Sequence, residues 1–131
     1  MTKRVALTVL LPYLYLVIIS TVIKRRVGTK YHFNLKPFWT IKTILSDGRE
    51  KAWLLKEVIL NILMLMPVGL MAPVLYKKRK IVKTLFLGIG ISLLIEAFQL
   101  IEHRGLAEID DVIFNTLGVL IGLGIYSIVK R

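Results

Sequence analysis

The stretch RGLAEIDDVIFNTLG, residues 104–118, gathers Glu108, Asp110 and Asp111 ahead of an apolar run and then places Asn115 inside it. Upstream, Ser92, Glu96, Gln99 and His103 recur at i, i+4, i+7 and i+11, and Glu57 and Asn61 stand four apart. On helices each of these spacings returns to one face. Asp111, Asn115, Gly118 and Gly122 follow the same rule, giving a polar tip that runs into a small-residue stripe. Carboxylates and amides grouped this way can accept hydrogen bonds, hold a cation or seat a polar ligand. Arg104 is the natural counter-charge, because its guanidinium fork pairs with a carboxylate or a phosphate. The candidate ligand-binding residues are therefore Asn61, Glu96, Gln99, Arg104, Asp110, Asp111 and Asn115, joined by Asn34 and Lys36 from an earlier loop.

Each of these residues also has a plainer reading. Asp110 or Asp111 can cap the helix that follows, where a carboxylate meets orphan backbone N–H groups and the positive end of the dipole. Asn61, Ser92 and Asn115 can be interhelical hydrogen-bond links, and Gly118 and Gly122 a close-packing stripe. Capping leaves Glu96 and Asn115 unexplained. His32 and His103 are single histidines in polar flanks, and the chain has no cysteine, so a zinc site would rest on two distant imidazoles.

The elements that must position these groups are membrane helices. Of 131 residues 56% are hydrophobic and the mean hydropathy is +0.70, a balance that a soluble domain of this size could not bury. The fold class that follows is an all-α membrane protein, a bundle of four transmembrane helices forming one domain over residues 1–131. The spans run from about residues 5–23, 54–75, 81–101 and 109–129, each near the ~20 residues a bilayer requires. Lys3 and Arg4 precede the first span as in a signal peptide, but its exit into Lys24, Arg25 and Arg26 marks a retained helix. Pro12, Pro67 and Pro73 fall inside spans and predict kinks there. The net charge of +11 comes from clusters flanking the apolar runs, which fits membrane anchoring and argues against nucleic acid as a partner.

Four spans put both termini and the loop around Lys77 on one side, and the long loop 24–53 and the short one around Arg104 on the other. Nine of the 19 cations crowd onto the short flanks of the first side, so the termini are expected to be cytoplasmic. Lys24, Arg25 and Arg26 weigh the other way. All eight acids, Asp47, Glu50, Glu57, Glu96, Glu102, Glu108, Asp110 and Asp111, fall on the second side. Glu96 lies about fifteen residues into its span, or roughly 22 Å, which places it in the leaflet nearer Arg104 and level with Asn115. A charge at such depth usually faces the bundle interior or a wet cavity.

In the long loop, YHFNLKPFWTIKTIL, residues 31–45, mixes Tyr31, Phe33, Phe38 and Trp39 with Lys36 and Lys42. It is expected to lie at the membrane interface, with Asn34 as a turn or cap residue and Pro37 in the first turn of a short amphipathic helix. NLKPF at 34–38, NILMLMPVGL at 61–70 and IEAFQLIEHRGLAEIDDVIFNTLGVLIG at 95–122 together resemble the VanZ-like family of small bacterial membrane proteins. The motifs stand in the family's order and cover nearly all of the chain after the first span. The family pattern is met by Glu96, Gln99, Arg104, Asp110, Asp111, Asn115, Gly118 and Gly122. Glu108 replaces an Asp common two residues before the acidic pair, and its spacing from Arg104 is about one residue longer than in the family.

The resemblance implies low-level resistance to teicoplanin, a lipoglycopeptide that acts at the outer face of the membrane. One reading is a binding module in which the polar pocket engages the antibiotic or a lipid-linked cell-wall precursor. Arg104 and Lys36 would meet its anionic groups and the loop aromatics its apolar chain, with membrane lipids around. Another is an enzyme, with Glu96, Asp110, Asp111 and Asn115 holding Mg²⁺ beside a lipid phosphate. No phosphotransferase motif accompanies the acids, and the binding reading needs no cofactor. A transport pathway would require a homo-oligomer, since four short spans leave little room and no inverted repeat is visible.

Overall fold

The structure, a computed structural model, describes residues 1–23, 32–46, 51–101 and 106–130. Arg104 and His103, the Lys24–Arg26 cluster, Tyr31, Asp47, Glu50 and Glu102 lie outside the described residues. Four helices are long and apolar enough to cross a membrane: Lys3–Thr21, Lys51–Leu75, Lys80–Ile101 and Ile109–Val129. The chain is a multi-pass membrane protein, and these spans match those expected from hydropathy to within a few residues. Their α-helical parts are α1 (Lys3–Ile18), α3 (Lys51–Met71), α4 (Lys80–Ile101) and α5 (Ile109–Val129). A short helix α2 (Trp39–Leu45) precedes α3.

α1 opens with the Thr2 hydroxyl accepting from Val5 N–H and ends in a π-helical turn at Ile19–Ile23. Pro12 and Pro67 sit inside α1 and α3, while Pro73 marks the place where α3 tightens into a 3₁₀ turn at Ala72–Leu75. α3 and α5 pack together along most of their length, and α4 lies against α5. The glycines permit this approach. A Cβ on Gly118 would strike the Ile62 carbonyl, one on Gly69 the Val119 carbonyl, and one on Gly122 the Met66 carbonyl. The stripe expected at Gly118 and Gly122 is thus a backbone contact, and Gly69 completes it from the facing helix.

Leu10, Leu65, Val68, Ala72, Val119 and Leu123 form the core between α1, α3 and α5. A second cluster of Ile44, Leu54, Val58 and Phe114 seats α2 on α3 and α5. α1 is the peripheral helix, tied in by the Tyr13 hydroxyl, which donates to the Met64 carbonyl at 2.8 Å. Tyr13→Phe is expected to lower stability by about 0.6 kcal/mol, the mean for single interhelical hydrogen bonds in membranes, in a thermal unfolding assay in detergent.

Two connections meet at one end of the bundle. β1 (His32–Asn34) pairs in parallel with β2 (Leu106–Glu108), aligning Phe33 with Ala107 and Asn34 with Glu108. No strand was expected in this chain. The pairing puts the loop after α1 and the loop after α4 on the same end, as four alternating spans require. At the opposite end Met1, Lys80 and Lys130 line one cavity, so both termini and the loop before α4 also share an end.

Candidate functional site

The polar faces of α3, α4 and α5 converge at the end that carries β1 and β2. α5 is the hub. Its first turn holds Asp110 and Asp111, one turn on comes Asn115, and all three are buried. Asn61 of α3 donates from Nδ2 to the Asp111 carboxylate at 2.5 Å. Asn115 Nδ2 donates to Ser92 Oγ of α4 at 2.9 Å. Both pairs join residues that the helical spacing had placed on facing polar stripes.

Asp110 behaves differently from the expectation of a cap for its own helix. One carboxylate oxygen accepts the Phe38 N–H at 2.6 Å and the other accepts the Thr40 N–H at 2.8 Å. It therefore caps α2, whose own cap residue, Phe38, makes no side-chain cap bond. Two charge-assisted bonds and the positive end of a helix hold the carboxylate in place. Phe38 has φ 59°, the left-handed region that a bulky side chain rarely adopts. The cap fixes its amide and holds that conformation. The helix starts at Trp39, so Pro37 stands in the turn ahead of the cap residue and not in the first helical turn. Asn34 takes a turn role as expected, its side-chain oxygen accepting the Lys36 N–H at 3.2 Å, and Lys36 is exposed.

Glu96 is 8% exposed, and its carboxylate accepts the N–H of Glu108 at 3.1 Å. Glu108 is the residue at which α5 begins, and it does not close the helix with its own side chain. The cap that helix receives thus comes from α4. This also corrects the depth of Glu96. Because Ser92 meets Asn115, Glu96 lies one turn nearer the loops, at the level where α5 starts. Gln99 is buried on the same face of α4, one turn further toward the loops.

Among the described residues one atom in the cluster stands without a hydrogen-bond partner. Asn115 Oδ1 is buried without a hydrogen bond. Turning the amide over would only exchange the orphan, because Ser92 presents a single hydroxyl to it. A buried unpaired acceptor costs about 1–3 kcal/mol. Next to the capped start of α2, a cleft of about 500 Å³ is lined by Phe38, Ile41, Ile89, Val112, Phe114 and Leu117, among others. Its lining is almost wholly apolar, and it lies on the side of α5 that α2 overhangs.

Asp110 is directed at the α2 backbone, and among the described residues no group of three or more His, Cys, Asp or Glu side chains comes together. What sequence spacing missed are the backbone partners, the amides of Phe38, Thr40 and Glu108, because nothing in a residue's type advertises a long-range amide. A model of a protein family described as VanZ/LLP1 matches residues 5–130, nearly the whole chain. No curated protein and no solved structure matches it.

Proposed function

Since the chain belongs to the VanZ/LLP1 family, we propose that it is a binding module of the cell envelope that lowers susceptibility to the lipoglycopeptide teicoplanin. It engages the antibiotic, or a lipid-linked cell-wall precursor near it, at the end of the bundle where α2 is capped by Asp110. The observation that carries this reading is an apolar cleft beside the capped start of α2, at the end of the bundle that also holds the buried polar cluster. An amphiphile would lay its apolar chain in this cleft and its polar head at the turn before α2. Lys36, exposed at the turn before α2, meets its anionic groups, and the family resemblance assigns Arg104 the same role. In this reading the site faces outward and the termini are cytoplasmic, in line with the dense cationic flanks at the far end.

The test is to express the chain in a glycopeptide-sensitive bacterium and measure teicoplanin and vancomycin susceptibility with Glu96→Gln, Asp111→Asn and Arg104→Ala variants. The expected result is a several-fold rise in the inhibitory concentration of teicoplanin alone, lost in each variant that still accumulates in the membrane. Unchanged resistance in all three variants would overturn the site.

A further inference from the structure

The end of the bundle opposite this site carries a second feature that the proposed function does not use. A cleft of about 710 Å³ opens between the start of α4 and the end of α5, lined by Lys77, Arg79, Lys80, Tyr126, Ser127 and Lys130. A second cavity of about 450 Å³ shares Lys80, Tyr126 and Lys130 with it and continues along Leu70, Met71, Val74 and Val129. The first, which Ile81 and Val82 also line, gathers four cations and two hydroxyls, the second adds an apolar run, and the two meet at three common residues.

Two local features hold the cations there. Arg79 has φ 51°, a conformation that glycine takes freely and arginine rarely, and its carbonyl accepts the Lys83 N–H at 3.0 Å to start α4. A cation is thus kept at a position where a small residue would relieve strain. Lys130 Nζ donates to the Tyr126 hydroxyl at 2.9 Å, which holds the ammonium at the mouth shared by the two cavities. No described acid lines either cavity.

We propose that this end of the bundle binds one anionic phospholipid, its phosphate between Lys80 and Lys130 and an acyl chain along Leu70, Met71, Val74 and Val129. The occupant follows from position and charge. The cavities lie at the ends of spans, where headgroups reside, and basic pockets between membrane helices at that level suit phosphate headgroups. The apolar continuation gives a lipid an advantage that a soluble phosphate lacks.

The experiment is native mass spectrometry of the full chain purified in detergent, with retained phosphatidylglycerol and phosphatidylcholine counted as delipidation proceeds. Wild type is expected to retain one phosphatidylglycerol and to release phosphatidylcholine. Lys80→Ala/Lys130→Ala should lower that retention at least tenfold, while Lys80→Arg/Lys130→Arg preserves it. Lys3→Ala/Lys83→Ala, which removes two cations outside both cavities, should leave it unchanged. Short-chain phosphatidylglycerol should displace the bound lipid, and glycerol 3-phosphate or inorganic phosphate should not. Equal retention of both lipids, an equal loss in the two alanine pairs, no loss in Lys80→Ala/Lys130→Ala, or displacement by the soluble phosphates would overturn the proposal.

Discussion

Asp110→Ala is expected to cost about 3 kcal/mol of stability and to release α2 from the bundle, because two charge-assisted bonds disappear at once and leave behind one buried and one part-buried donor. The carboxylate accepts from Phe38 and Thr40 amides that have no side-chain cap of their own. The left-handed conformation at Phe38 loses the bond that holds it. Amide hydrogen exchange across residues 38–45 should accelerate by about 100-fold, as local opening of α2 becomes easier by that energy. Asp110→Asn should recover only part of the loss, since an amide can accept through one oxygen but turns its NH₂ toward the other donor. An unchanged exchange rate in the alanine variant would show that α2 is held by its apolar contacts alone, through Ile41 and Ile44.

The second large effect belongs to the α3–α5 contact. Gly118→Ala places a Cβ against the Ile62 carbonyl oxygen and carbon, and backbone cannot step aside as a flexible side chain would. Overpacking of this kind costs about 1–3 kcal/mol, and the backbone obstacle puts Gly118→Ala at the upper end, with Gly118→Val beyond it. The loss should spread to the site, because Asn61 sits one residue before Ile62 on α3 and bonds Asp111 on α5. Gly90→Ala and Gly124→Ala provide the contrast. A Cβ at either meets nothing within 4 Å, and alanine is the better helix former by about 1 kcal/mol, so both should be neutral or stabilising. Thermal unfolding of the four variants in detergent measures the difference, and equal stabilities would refute the close approach.

The spans were legible because length and hydropathy decide membrane helices almost alone. The pairs Asn61 with Asp111 and Asn115 with Ser92 were legible as faces, since helical periodicity fixes which residues share a stripe. Which stripe meets which, and at what depth, was not. Glu96 was placed level with Asn115 from residue counts, and the antiparallel pairing of Ser92 with Asn115 moves it one turn toward the loops. Asp110 shows the deeper reason. Its type and its place in a first turn of helix are those of an ordinary cap, yet its partners are amides about seventy residues earlier. A seven-residue helix and two three-residue strands carry too few residues for periodicity to reveal them, so neither α2's start nor the β1–β2 pairing could be read in advance.

The capped α2 also gives physical content to the family pattern of paired acids before a small-residue helix. In this chain the two carboxylates divide the work: Asp110 fixes the interfacial helix, and Asp111 joins α5 to α3. Glu96, from α4, completes the start of α5. The three together tie α2, α3, α4 and α5 to one another at one end of the bundle. A site for an amphiphile on that end would be preorganised by them.

Binding tests that claim most directly. Teicoplanin and its deacylated core would each be titrated against the purified chain in lipid nanodiscs, in wild type and in Asn115→Leu. Saturable binding of teicoplanin is expected, with at least tenfold weaker binding of the core because the apolar cleft stays unfilled, and a further loss in Asn115→Leu. No saturable binding of teicoplanin, or equal binding of teicoplanin and its deacylated core, would contradict it.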